Sequence, residues 1–137
     1  MNEKRKTAHI IPYKIENGMV LVFLQKRASD AFRNPGGFSI WGGGIENSET
    51  PELAMLRESK EELGFEPKDF SFLGEYSDDY SDSFYYTVQV RLNFEENTTV
   101  MEGDYGKFLS KEEVFNEPRI SDNTKKVLSD FFGTNPS

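Results

Sequence analysis

Cysteine is absent from the 137 residues, which removes disulfides, zinc–thiolate sites, iron–sulfur ligation and a thiol nucleophile together. A chain without thiols suits a reducing cytosol, and a cytoplasmic location is the expectation. Histidine occurs once, as His9 in a strand-like segment with nothing in sequence to pair with it, and is read as structural. Long apolar runs are missing too: no stretch approaches the roughly 20 apolar residues of a membrane span. The basic start MNEKRKTAHIIPYKIENG has too short and too interrupted an apolar run for a secretion signal, so a soluble, unprocessed protein without a membrane partner is expected. Positive charge is in deficit, 16 Lys and Arg against 24 Asp and Glu for a net charge of −8. Binding to duplex nucleic acid rests on phosphate neutralisation and is disfavoured. A small polyanion would need local Arg and Lys, or a cation, to overcome the overall field. The length suits one domain, residues 1–137, able to bury a core without staples.

What is present is a mixture of strand and helix patterns with no repeat or linker. TAHIIPYKI and GMVLVFLQK read as two strands joined at ENG, the second apolar at consecutive positions as in a strand buried on both faces. Residues 28–40 carry Pro and Gly and read as a loop. From Pro51 the pattern turns helical, with Thr50 as N-cap, Pro51 at the first helical position, Glu52 at the positive dipole end and Gly64 past the C-terminus. FYYTVQVRLNF alternates strictly from Phe84 to Phe94 and reads as one strand. YGKFL reads as another strand, leading into a capping box at Ser110 and Glu113, and NTKKVLSDFF as a last amphipathic helix.

The stretch GGGIENSETPELAMLRESKEELGF is the richest in chemistry. A Gly-Gly-Gly turn leads into a helix on which Glu58, Glu61 and Glu62, three and four residues apart, share one face. Leu53, Leu56 and Leu63 fall on the opposite side, where they are expected to pack into the core. The residues by themselves leave two readings: a solvated acidic face with pairs such as Arg57 to Glu61, or a site for Mg²⁺ or Mn²⁺, hard cations that take oxygen ligands.

Gly43, five residues, Glu49, seven residues and then RESKEELGF match the pattern Gly-x5-Glu-x7-Arg-Glu-U-x-Glu-Glu-x-Gly-U, with U apolar, at Gly43, Glu49, Arg57, Glu58, Glu61, Glu62, Gly64 and Phe65. The chain thereby resembles the Nudix family, and only Ser59 departs, where an aliphatic residue is usual. KRASDAFRNPGGFSIWGGGIENSETP further resembles the corresponding segment of the MutT-type nucleotide diphosphatases, and MEGDYGKFLS the segment that carries an additional glutamate near the metals.

The resemblance implies an α+β fold, the Nudix α/β/α sandwich, with a mixed sheet between helices and the box as loop–helix–loop. It implies a Mg²⁺-dependent (or Mn²⁺-dependent) pyrophosphohydrolase that cleaves a nucleoside di- or triphosphate derivative by attack of water on phosphorus. A nucleotide-sugar or dinucleotide diphosphatase and a non-catalytic nucleotide-binding module are the alternatives. Implied metal ligands are Glu58, Glu61, Glu62, Glu102 and the Gly42 carbonyl; Arg57 pairs with Glu49 to hold loop to helix; Glu58 and Glu102 are the two candidates for general base. Arg27 stands at a substrate-contacting position, and Arg33 is a second candidate for phosphate, which forked guanidiniums bind well. Trp41 stands where the MutT type carries proline, so an oxidised guanine nucleotide is not implied as substrate. Trp41, Tyr85, Tyr76 and Phe38 are each read first as packing and second as stacking on a base. An asparagine near the last helix reads a base edge in MutT-like proteins, which points to Asn123 or Asp122.

Overall fold

Asn17 and Gly18 both have positive φ, 54° and 77°, and close a two-residue hairpin in which Glu16 faces Met19. That turn joins β1 (Arg5–Glu16) to β2 (Met19–Lys26). The computed structural model describes residues 4–28, 35–98 and 105–134. Arg33 and Glu102 lie outside the described residues.

One edge of β1 serves two partners. Residues 13–16 pair with β2, and residues 7–10 pair antiparallel with β4 (Trp41–Gly44), which follows the two-residue β3 (Phe38–Ser39). Even-numbered residues of β1 face this edge, as the bond from Ile45 N–H to the Lys6 carbonyl shows. Pro12, which has no N–H to donate, sits in the gap where the partner changes. The other edge runs parallel to β6 (Ser81–Gln89), which pairs antiparallel with β5 (Phe70–Ser77). β2 pairs with β3 and with β7 (Tyr105–Ser110), completing a mixed seven-stranded sheet.

Each face of the sheet carries a core. Ala8, Ile10, Phe23, Trp41, Tyr86 and Val88 meet Ala54, Met55 and Leu63 of α1 (Pro51–Leu63). Ile11, Val22, Leu24 and Phe38 meet Val114 of α3 (Lys111–Asn116) and Val127, Leu128 and Phe131 of α4 (Asp122–Thr134). The α/β/α sandwich expected for the chain is the one observed.

Three local expectations are corrected. Phe38 and Ser39, inside the stretch read as loop, pair with β2 as strand. The alternating run from Phe84 stops being strand at Gln89, and Phe94 opens the short α2 (Phe94–Asn97). The last strand bond runs from Val90 N–H to the Tyr13 carbonyl; the chain then turns, and Phe94 packs edge-on against Phe23 and Phe65. The glycines 42–44 are strand, not turn, because β1 offers them an open edge.

Candidate active site

The caps of α1 are those the sequence specifies. The Thr50 hydroxyl accepts from Leu53 N–H at 3.2 Å, Pro51 occupies the first turn, and Gly64 adopts φ 61° with its N–H on the Lys60 carbonyl. Of the three leucines expected to pack inward, Leu63 is buried and Leu56 packs partly buried against the core, but Leu53 is 53% exposed, and Ala54, Met55, Ser59 and Glu62 complete the inward face. The reason lies beneath the helix, which packs on β1 and on the glycines of β4. The glycines of β4 carry no side chains, which lets Glu58 and Glu62 approach its backbone while Met55 and Leu63 pack on the apolar residues around it. The Ser59 hydroxyl donates to the Met55 carbonyl at 2.8 Å, which satisfies its polarity in an otherwise apolar position.

Two glycines of β4 have no room for a side chain. A Cβ on Gly43 would lie 2.6 Å from Oε1 of Glu58. A Cβ on Gly42, whose φ is 149°, would lie 2.4 Å from both the Ala8 carbonyl oxygen and Nδ1 of His9. Glu62, only 3% exposed, accepts the Gly42 N–H at 2.8 Å through Oε1. Glu58 and Glu62 are thus both pressed against the backbone of β4.

Arg57 organises the remaining acids. Its Nε and Nη2 donate to the two oxygens of Glu49 at 2.8 and 3.0 Å, Nη2 also reaches the Gly44 carbonyl at 2.9 Å, and Nη1 reaches Glu58 at 2.9 Å and Glu61 at 3.2 Å. Glu46, which the sequence reading did not single out, joins them at 3.4 Å. The forked geometry ties loop and helix through one guanidinium. The Arg57 bond holds the Glu49 carboxyl below its usual range, and Glu49 in turn raises Arg57 above its own, so both stay charged. Glu61 is the outermost of the three box acids, its side chain 57% exposed. The single face shared by Glu58, Glu61 and Glu62 is therefore corrected: Glu62 turns into the protein and Glu61 out of it. No group of three acidic side chains among the described residues is arranged to hold a metal ion. The donors available are nonetheless all oxygens, carboxylates beside a backbone strand stripped of Cβ atoms, and that chemistry fits a hard divalent cation.

The other candidates lie along the sheet. Arg27 leaves β2 with its N–H on the Gly37 carbonyl at 2.7 Å. Trp41 is fully buried, donates Nε1–H to the Phe23 carbonyl at 3.0 Å and stacks on the Phe23 ring, so it packs under the site and offers no face to a base. Phe38 is buried in the α4-side core. Tyr76, Tyr85 and Asn123 come together with Ser83, Asp78 and Lys126 around a cavity of about 320 Å³. Tyr76 donates to Asp130 at 2.7 Å, and burial with that neighbouring carboxylate raises its hydroxyl above the ordinary tyrosine range.

His9 stands beside Tyr85, one of the residues that line this cavity, and opposite Gly42 of β4. It pairs in register with Gly42, stacks on Tyr85 with centroids 4.6 Å apart, and places Nε2 2.9 Å from the Thr7 hydroxyl, which bonds Ser83. Burial lowers its pKa to about 4, which the Trp41 backbone beside the ring opposes only in part, so the imidazole is neutral at physiological pH.

Comparison with known proteins gives a consistent picture. A family model described as the NUDIX domain matches residues 3–131. An ADP-ribose pyrophosphatase of Methanocaldococcus jannaschii is 31% identical over 111 residues, covering 80% of this chain and 64% of that one. An 8-oxo-dGTP diphosphatase of Escherichia coli is 38% identical over 61 residues, 44% of this chain and 46% of that one. The chain thus spans less than two thirds of the length of either relative. The NUDIX domain of Shewanella oneidensis NrtR, solved in complex with ADP ribose, matches in fold with a TM-score of 0.77 at 16% identity, covering 97% of this chain and 89% of that chain.

Proposed function

The chain belongs to the NUDIX family, and from that premise we propose that it is a hydrolase of phosphoric anhydrides, cleaving a nucleoside diphosphate linked to a further group by attack of water on phosphorus. The observation that carries this reading is the pairing of Glu58 and Glu62 with the glycines of β4, locked to the loop by Arg57. Such an arrangement serves a cation better than it serves stability, since a carboxylate buried like Glu62 costs solvation unless it is compensated.

The groups that would hold Mg²⁺ or Mn²⁺ are the carboxylates of Glu58, Glu61 and Glu62, that of Glu102 and the Gly42 carbonyl. A divalent ion bound there supplies charge neutralisation for the phosphates and acidifies water. The residues of the chain do the rest. Glu58, its Oε1 steadied by Arg57 Nη1 at 2.9 Å, takes the proton of the attacking water, with Glu102 the other candidate for that task. Arg57 is a positioning residue: it holds Glu49, Gly44 and Glu58 in one frame and has no donor to spare for substrate. Arg27 and Arg33 draw in the phosphates against the net charge of −8.

The nucleoside is assigned to the cavity between Tyr76, Tyr85 and Asn123. One ring face of Tyr85 is taken by His9 and an edge of it by Tyr76, so hydroxyls and carboxylates outnumber open aromatic faces there. That polarity favours a second reading within the same class, a nucleoside diphosphate linked to a sugar. A panel of nucleoside triphosphates, nucleotide sugars and dinucleotides, incubated with the chain and Mg²⁺ and read by product identification, distinguishes the two. Cleavage of no member overturns both.

A further inference from the structure

We propose that His9 is a positioning residue for the carboxylate site, its imidazole wedged between Tyr85 and Gly42 so that Gly42 presents its N–H to Glu62. The inference rests on the metal-dependent reading for its purpose, though not for its geometry.

Gly42 adopts φ 149°, a conformation that L side chains rarely take and that a glycine leaves as easily as it enters. Something must therefore hold it. Backbone bonds between β1 and β4 fall at the even-numbered residues of β1, so His9 and Gly42 face each other as a non-hydrogen-bonded pair and the imidazole supplies bulk: Nδ1 stands 2.4 Å from where a Cβ on Gly42 would be. The imidazole is in turn backed from the far side. Tyr85 lies nearly parallel to it, at 12°; Tyr76 meets Tyr85 at a right angle with centroids 5.4 Å apart; and the Tyr76 hydroxyl is anchored on Asp130 of α4. A packed row thus runs from α4 across the sheet face to Glu62, and two of its members, Tyr76 and Tyr85, form the wall of the nucleoside cavity.

The chemistry of the ring points to shape rather than polarity. The Trp41 backbone lies beside the ring, but Nδ1 makes no hydrogen bond of normal geometry, so it is the outline of the ring that meets Gly42. A phenylalanine has nearly the same outline without that nitrogen. His9→Phe therefore keeps the wedge, while His9→Ala removes it.

Two measurements test this on the full chain. Amide hydrogen exchange at Gly42, read by NMR without metal, reports the bond to Glu62 directly. Exchange in His9→Ala is expected to be at least tenfold faster than in the parent, and His9→Phe within about threefold of it. Calorimetric titration with Mn²⁺ reports what the positioning serves: at least a tenfold weaker dissociation constant in His9→Ala, near-parental affinity in His9→Phe. Thermal melts on each variant confirm that both are made on folded protein. Tyr85→Leu, which removes the backing but leaves His9, is expected to give an intermediate loss in both and keeps the test open if His9→Ala does not fold. Parental protection of Gly42 in a folded His9→Ala overturns the inference, as does a His9→Phe that behaves like His9→Ala. A parent that binds no Mn²⁺ overturns instead the metal-dependent reading, and the exchange result then stands apart from it.

Discussion

A methyl group at position 43 would meet the Glu58 carboxylate at 2.6 Å, closer than real Cβ atoms approach anything. Gly43→Ala is expected to displace Glu58 from β4, lowering turnover by a hundredfold or more in the substrate panel while destabilising the fold by only about 1–3 kcal/mol in denaturant unfolding. At Arg57 the decisive feature is the fork. Arg57→Lys keeps the charge but cannot span both oxygens of Glu49 and the Gly44 carbonyl, so a loss of about 1–2 kcal/mol in thermal or denaturant stability is expected. His9 carries a pH dependence of known sign. Its folded pKa, about 4, lies below the ordinary 6.5, so the unfolded chain binds the proton first and stability is lost as pH falls from 6.5. Between pH 6.5 and 4.5 the parent is expected to lose on the order of 2 kcal/mol that His9→Phe keeps, measured by urea unfolding at each pH. Below pH 4.5, Glu49 adds an effect of the same sign, because its depressed pKa means that protonation favours the unfolded chain.

At the scale of the element, α1 turns on which of its faces meets the sheet. Met55 is fully buried and Leu53 is 53% exposed, the reverse of what a leucine stripe suggests. Met55→Ala is expected to cost about 2–5 kcal/mol and Leu53→Ala less than about 1 kcal/mol in chemical unfolding. Equal costs would return Leu53 to the core. The pattern misplaces Leu53 alone: Leu63 and Leu56 pack on the core with Ala8, Ile10, Trp41 and Val88, and the glycines of β4 leave room beside them for Glu58 and Glu62. Caps behave differently. Thr50, Pro51, Gly64 and the Ser110–Glu113 box all form as the residues specify, since each is closed within four positions of its own chain.

At the scale of the whole molecule, one mixed sheet separates two cores, and the site stands at their boundary. Glu58 and Glu62 reach β4 from the α1 side, while Tyr76, Tyr85 and Asn123 enclose the cavity on the α4 side. His9 and Gly42, neighbours across β1 and β4, are where the two sides touch. The chain belongs to the NUDIX family, and its box was legible in the sequence through resemblance to that family's pattern, since the positions are close in sequence and need no tertiary contact to be seen. The hairpin at Asn17 and Gly18, the capped helices and the absence of thiol chemistry were legible for the same reason. β5 was not singled out, since Gly74 and Glu75 interrupt the apolar pattern of its residues 70–77, which gain strand form by pairing with β6 along a bulged edge. The strand from Phe84 was read too long because alternation does not reveal where the neighbouring strand stops.

Sequence by itself determined the order of charges in the box, the ends of α1 and the carboxylate chemistry of its helix, because these follow from side-chain chemistry and from contacts a few residues apart. Only the tertiary structure decided that three glycines are a strand, that Trp41 is enclosed beneath it, that Glu62 turns inward while Glu61 turns out, and that His9 fills the place of the side chain Gly42 lacks. Each of these depends on segments more than 15 residues apart meeting at an ångström scale, and no local pattern encodes which backbone will lie beneath a given face.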